Sequence, residues 1–258
     1  GSLVSVSSTS AEITVGEPVI EIIAANQFVN NAGASALNMS DASAYWHIYS
    51  VDPANNTRGG LSYDFKQYNA NYGDAVLGIG SGFLYSVAPT LTASLIGTPS
   101  KSYDATTTAN LTAENYSISG VIDGDAVSLA NSGKNYDTQH VGTGKTVTVS
   151  GLSIASAINS TAKVYGYSLN STNISDNIGE ITPASLFIST ADVTKQYDGT
   201  TTALGAAEVV ETTLYGTDSV SGGTFIFDNK NVGTNKTVTI SNVTVNDGNG
   251  GANYNVSY

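Results

Sequence analysis

Cysteine is absent from the 258 residues, so disulfides, thiolate nucleophiles and cysteine-ligated zinc are all excluded. Cations are scarce. Arg58 is the only arginine, and 9 basic residues face 21 acidic ones for a net charge of −12. Because Lys and Arg supply most of the affinity for phosphate backbones, nucleic acid is excluded as a partner. The same sign disfavours anionic membrane surfaces, and no apolar run approaches the roughly 20 residues of a membrane helix. Charged residues amount to 12%, against a usual value of about 25%, so Ser, Thr, Asn, Gly and Tyr must cover most of the surface. What is present is a hydrophobic content of 40%, enough for packed cores. The leading Gly-Ser reads as a cloning remnant, and the lack of a start methionine or signal peptide reads as an excised fragment.

Helical periodicity is almost missing. Val, Ile, Thr and Tyr instead recur at spacing two between clusters of Gly, Asn, Asp and Ser, which predicts many short strands. Part of the chain is written twice. "KSYDATT" at Lys101–Thr107 returns as "KQYDGTT" at Lys195–Thr201, and "HVGTGKTVTVSGLSI" from His140 returns as "NVGTNKTVTISNVTV" from Asn231. "DGDAVSL" (from Asp123) matches "GTDSVSG" (from Gly216), and "YGYSL" (from Tyr165) matches "NYNVS" (from Asn253). The offset drifts from 94 through 91 to about 87, as expected when strands are kept and loops vary. Both copies break alternation at one place: Val147 and Val149 are followed by Leu152 and Ile154, and Val238 and Ile240 by Val243 and Val245. Such a flip requires a bulge or a strand that changes sheet, which predicts β-sandwich modules over 97–184 and 185–258, the second without its last strand.

The first ninety-odd residues differ. "EITVGEPVIEIIAANQFVNNAGASAL" (Glu12–Leu37) has short apolar runs ending in an Asn-Asn-Ala-Gly turn, expected of parallel β-solenoid rungs whose inward Asn residues bond backbone groups. Residues 1–40 are therefore assigned to a solenoid end, and 41–96 to a capping and linker segment that covers its open rung. Within that segment "YWHIYS" reads as a strand, "SYDFKQYN" (Ser62–Asn69) as a short helix, and Pro89–Pro99 as a linker.

Lys, Tyr and Asp recur in both copies of the motif: Tyr103 and Asp104, then Tyr197, Asp198 and Gly199. No histidine or second carboxylate recurs beside them, so the acid/base partner of hydrolysis or transfer is lacking and catalysis is not expected. The motif reads as a turn capped by the Asp side chain, with Tyr at the core edge. Ala105 in place of Gly199 predicts an ordinary negative φ at that position. His47 and His140 have no duplicated counterpart, and no metal site is assigned to them. "DGD" (Asp123–Asp125) and "NDGNGG" (Asn246–Gly251) resemble calcium loops only faintly, lacking the ligand spacing and closing glutamate, so no cofactor is expected. Tyr45, Trp46, Tyr49 and Tyr63 are candidates for a ligand-stacking platform, against the alternative of cross-strand packing. A Lys–Asn crosslink would draw on Lys101 or Lys195, but Asn253 has no match in the first copy. Ten Asn-Xaa-Ser/Thr sequons begin at Asn38, Asn55, Asn110, Asn115, Asn159, Asn170, Asn173, Asn235, Asn242 and Asn255, and are candidate glycosylation sites.

"KQYDGTTTA", "GTDSV", "FDNKNVGTNKTVTISNVTV" and "NYNVS" resemble the YDG-type repeat of filamentous-haemagglutinin-like adhesins, large bacterial exoproteins exported by two-partner secretion. "FVNNAGASAL" to "GFLYSVAPTL" resembles the segment before such repeats, where the β-helical shaft ends. Ala105 and "YDTQHVG" depart from the pattern. The resemblance implies an all-β chain: the end of a β-helix, then two tandem Ig-like β-sandwich repeats, with β-grasp-like modules as the alternative. It implies a secreted, surface-retained, non-enzymatic stalk and adhesion segment, a monomer, with an outer-membrane secretion partner and a host or bacterial surface receptor, glycan included. Two rival readings stand beside it: a glycan- or host-protein-binding module around Trp46, and a glycan-degrading enzyme fragment. The enzyme ranks last, because retaining glycosidases need two carboxylates about 5 Å apart and the solenoid stretch is too short to build such a cleft.

Overall fold

The structure, a computed structural model, describes residues 4–7, 11–16, 19–39 and 43–258, with side chains placed from Ile20 onward. The rest of the solenoid stretch assigned to 1–40 lies outside the described residues. Strand accounts for 47% of the chain and helix for 3%, so the all-β expectation holds. In chain order the strands are β1 (Val4–Ser7), β2 (Ala11–Gly16), β3 (Val19–Ala24), β4 (Gln27–Asn30), β5 (Tyr45–Ser50), β6 (Phe65–Gln67), β7 (Gly82–Tyr85), β8 (Thr90–Leu95), β9 (Ser100–Ser102), β10 (Tyr116–Ser119) and β11 (Ala126–Ala130). They continue with β12 (Gly133–Tyr136), β13 (Gly142–Ser150), β14 (Ser153–Asn159), β15 (Ala162–Tyr165), β16 (Ser168–Leu169), β17 (Ile174–Thr182), β18 (Ala184–Thr190), β19 (Ala207–Val209), β20 (Ser219–Phe227), β21 (Val238–Asn246) and β22 (Tyr254–Ser257).

Two compact units divide the chain, and they do not follow the boundaries expected at 97 and 185. One gathers the described residues up to Leu95 with Tyr116–Gly133 and Val149–Ile174; the other gathers Ile96–Asn115, Lys134–Thr148 and Ser175–Tyr258. In the first, an eight-stranded sheet runs β11-β14-β15-β6-β7-β5-β3-β2, and its pairings from β15 through β6, β7 and β5 to β3 are all parallel. Register places Ile22, Ile48, Phe83 and the wholly buried Lys66 in one row, and β6 and β7 are buried along their whole length. Trp46, Tyr68 and Tyr85 complete that core. Asn30, 1% exposed, donates to the carbonyls of Gly33 and Arg58 and accepts from the amide of Ala32, so it satisfies turn backbone from inside.

The two copies share a backbone. Sheet β10-β8-β16 has β8 antiparallel to β10 and parallel to β16, and sheet β19-β18-β22 repeats this arrangement. The alternation break is also shared: Gly151 has φ +61 and Asn242, at the equivalent position, φ +56. A left-handed residue turns the following side chains to the other face. In the first copy the chain leaves β13, in the sheet β12-β13-β17-β9, and resumes as β14 in the eight-stranded sheet. In the second it stays within β21, paired to β20, and keeps register on either side of the pivot (Gly222 with Val243, Thr224 with Ser241).

Three local expectations are corrected. Ser62–Asn69 contains no helix; Phe65–Gln67 is a strand, because its parallel neighbours β7 and β15 supply backbone partners that a short isolated helix would lack. Pro89–Pro99 is not a linker, since it contains β8, the central strand of a three-stranded sheet. Ala105 and Gly199 do not have negative φ: they stand at +58 and +79. A single left-handed alanine costs roughly 1–2 kcal/mol, and the hydrogen bonds of its turn hold it there.

Gly199→Ala, whose added Cβ meets nothing within 4 Å, copies the first repeat and should cost only about 1 kcal/mol. Gly166→Ala, at φ +87 with its Cβ 2.0 Å from the Tyr68 carbonyl, should cost roughly 2–4 kcal/mol in urea unfolding. Equal losses would contradict the backbone described here.

Candidate functional site

The repeated Lys-Xaa-Tyr-Asp string builds the same turn twice. Lys101 Nζ donates to Asp104 Oδ1 at 2.6 Å and to the Thr106 carbonyl and hydroxyl at 2.8 Å each. Lys195 Nζ meets Asp198 Oδ1 at 2.8 Å and the Thr200 carbonyl and hydroxyl at 2.9 Å each. In both, the Asp oxygen also accepts from the amide and hydroxyl of the Thr two residues on. All three ammonium hydrogens are thereby used within the turn. The hydrogen bond from Lys195 above all, with those from Thr200, holds the Asp198 carboxyl down at about 2. At Asp104 burial acts in the raising direction, but the Lys101 and Thr106 hydrogen bonds outweigh it and its pKa is also lowered. The expected Asp cap is present in both copies, and neither Lys is bonded to Asn253, which instead contacts His140 and the Asp247 loop.

The tyrosines of the motif diverge. Tyr103 is 1% exposed and Tyr197 is 60% exposed, so the core-edge expectation holds for the first only. Tyr103 donates to Asp218 Oδ2 at 2.9 Å, an oxygen that also accepts from Tyr254 at 2.8 Å, and the two rings cross edge to face at 5.3 Å. Tyr254 in turn accepts from the Tyr215 amide at 2.8 Å. The first copy contains the matching socket. Asp125 Oδ2 accepts from Tyr167 at 3.0 Å, and Tyr167 accepts from the Ile122 amide at 3.0 Å. The phenol that fills it is Tyr68, which donates to Asp125 Oδ2 at 2.7 Å with its ring 4.9 Å from that of Tyr167.

Tyr68 belongs to a further Lys-Xaa-Tyr string, Lys66-Gln67-Tyr68, within the segment whose composition predicts a short helix. Its backbone behaves as that of Lys101–Tyr103 does. Strand β6 pairs in parallel with β15 and the Tyr68 amide reaches the Tyr165 carbonyl, while β9 pairs in parallel with β17 and the Tyr103 amide reaches Thr182. The string alone is a weak signal, since Lys134-Asn135-Tyr136 and Lys163-Val164-Tyr165 also carry it. Around the first socket Lys66, wholly buried, is paired with Asp123 and Asp125, and Arg58 with Asp123.

The other candidates are accounted for residue by residue. Trp46 and Tyr49 are 3% and 5% exposed, so neither offers a ring face to a ligand, and the platform reading is corrected: Trp46 packs edge-on against Phe83 at 5.0 Å. Tyr45 and Tyr63 are half-buried, Tyr63 donating to Asn159 at 2.8 Å. Asn159 also donates to the Asp123 carbonyl and Asp125, which leaves its amide engaged, and half-buried Asn115 caps Thr112. The remaining sequon asparagines are exposed. Asp247 turns its carboxylate onto the amides of Asn249, Gly251 and Asn253, satisfying its own loop.

Tyr103→Phe removes one hydrogen bond to a carboxylate and should cost roughly 1.5–3 kcal/mol in urea, whereas Tyr197→Phe should change stability by less than about 0.5 kcal/mol. Burial first, then the hydrogen bond to Asp218, raises Tyr103 to about 12, from an ordinary value near 10. The neutral phenol is therefore favoured in the folded state. That stability should be complete below about pH 10 and fade between about pH 10 and 12, in an alkaline unfolding curve that Tyr103→Phe flattens.

Comparison with known proteins agrees with this duplication. A model of the YDG domain matches residues 87–174 and again 182–258. No curated protein and no solved structure gives a significant match. The first matched segment begins before β8, the strand whose counterpart, β18, opens the second. With well over half of its residues matched, in two tandem copies that share turn, socket and sheet order, the chain belongs to the YDG-domain family.

Proposed function

We propose that this chain is a passive spacer in a large secreted adhesin held at the surface of a Gram-negative bacterium, exported through an outer-membrane partner of the two-partner type. The observation that carries the reading is the saturation of the shared motif: in both copies the Lys, Asp and Thr groups are spent on one another, so the motif sets a turn. No catalysis and no cofactor enter the proposal. The parallel run β3-β5-β7-β6, with Asn30 bonding turn backbone from inside, supports a solenoid end before the repeats. The shared left-handed pivot at Gly151 and Asn242 supports sandwich-like modules after it. The net charge of −12 and uncharged polar skin suit a monomer spaced away from an anionic cell surface. Exposed sequon asparagines such as Asn110, Asn170 and Asn255 are available to sugars. Receptor contact, with glycan or protein, falls to other parts of the adhesin, because the aromatic cluster around Trp46 is core.

Antibodies against residues 87–258 should label intact cells of the source bacterium and lose that labelling when the transporter is deleted; labelling only after lysis would contradict the surface assignment. The purified chain should give no saturable binding to glycan arrays or host cells. Saturable binding would overturn the passive reading.

A further inference from the structure

Lys-Xaa-Tyr occurs five times, at Lys66, Lys101, Lys134, Lys163 and Lys195, and two of these tyrosines fill Asp–Tyr sockets. Tyr68 fills the socket of Asp125 and Tyr167, and Tyr103 that of Asp218 and Tyr254. Both filled sockets lie C-terminal to their tyrosine, by 57 and 115 residues. Tyr197 has the same Lys–Asp–Thr turn behind it, but it is 60% exposed. Among the described residues it meets no carboxylate, and its segment belongs to no strand, whereas β6 and β9 are paired strands.

We propose that Tyr197 is a docking tooth whose occupant is the unfilled Asp–Tyr socket of a further YDG domain following in the same polypeptide. The recognition chemistry is the one seen twice here. A carboxylate accepts the tooth hydroxyl and that of a resident tyrosine, the rings cross edge to face, and a backbone amide orients the resident hydroxyl. The two sockets of a second copy of this chain are already filled, which disfavours docking between molecules. The Lys-Asp-Thr staple presents the phenol on a fixed turn, so less conformational entropy is lost on docking. The inference rests on the spacer reading for its purpose, since tooth and socket would fix each domain to the next. Its test is separate: a free Tyr197 would end the docking proposal and leave surface labelling untouched.

The experiment compares nitration of Tyr197 by tetranitromethane, followed by peptide mass spectrometry, in the chain as it stands and in one extended after Tyr258 by a second copy of Thr172–Tyr258. The added block carries Tyr197→Phe, so only the original residue reports. Nitration of Tyr197 should be fast in the first chain, fall at least about tenfold in the extended one, and return with Asp218→Ala in the added block. An unchanged rate while both copies of Tyr254 stay unreactive would overturn the proposal. So would protection already present in the unextended chain, or protection that rises with its concentration, which would place the socket on another molecule. Should the block leave its own Tyr254 reactive, an extension of residues 172–183 joined to 90–174 supplies the Asp125–Tyr167 socket and is read by the same outcomes. Failure of both blocks to fold there counts against the proposal.

Discussion

A carboxylate that accepts two phenol hydroxyls at once is the constraint on which both units depend. Asp125 and Asp218 each hold one tyrosine from the same copy and one from an earlier stretch of chain, so a single oxygen ties segments far apart in sequence. A buried carboxylate is costly unless its lone pairs are filled, and a buried hydroxyl is costly unless it has an acceptor. Here each demand meets the other. The pairing also explains why the compact units cut across the sequence repeat: the first string reaches residues of copy one, and the second reaches residues of copy two.

Much of this was legible in the sequence. The offset repeat, the shared break in alternation and the Asp-capped turn all follow from residues whose chemistry depends on near neighbours, and the structure contains each of them. The match of "DGDAVSL" with "GTDSVSG" had already aligned the socket residue Asp125 with Asp218, whereas "YGYSL" set against "NYNVS" places Tyr167 opposite Asn255, one residue from Tyr254. Their joint role was not legible, because it needs a third residue 57 or 115 positions away. The Lys66 string was hidden because Asn69 stands where the Lys101 and Lys195 strings have Asp and because the local composition suits a short helix; parallel partners on both sides decide for a strand. Ala105 misled for a related reason. Intrinsic preference argues against left-handed alanine, and five hydrogen bonds around Lys101 and Asp104 override it.

The same contrast separates turn from site. Retention of Lys, Tyr and Asp in two copies fits a site used twice as well as a turn built twice, and the partners of each group decide between them. Lys, Asp and Thr spend their hydrogen bonds locally, and the tyrosine reaches outward. Trp46 and Tyr49 show the converse, since aromatic density in the sequence marks a core row of edge-to-face rings rather than a surface. The proposed spacer therefore owes its order to polar contacts placed at segment ends, with apolar rows filling between them.

The most direct measurement of this constraint is a double-mutant cycle in urea between Tyr103→Phe and Asp218→Asn. If the carboxylate and the phenol act as one unit, the two losses should fall short of additive by at least about 1 kcal/mol. Additive losses would mean that hydroxyl and carboxylate are held independently, and would contradict the account.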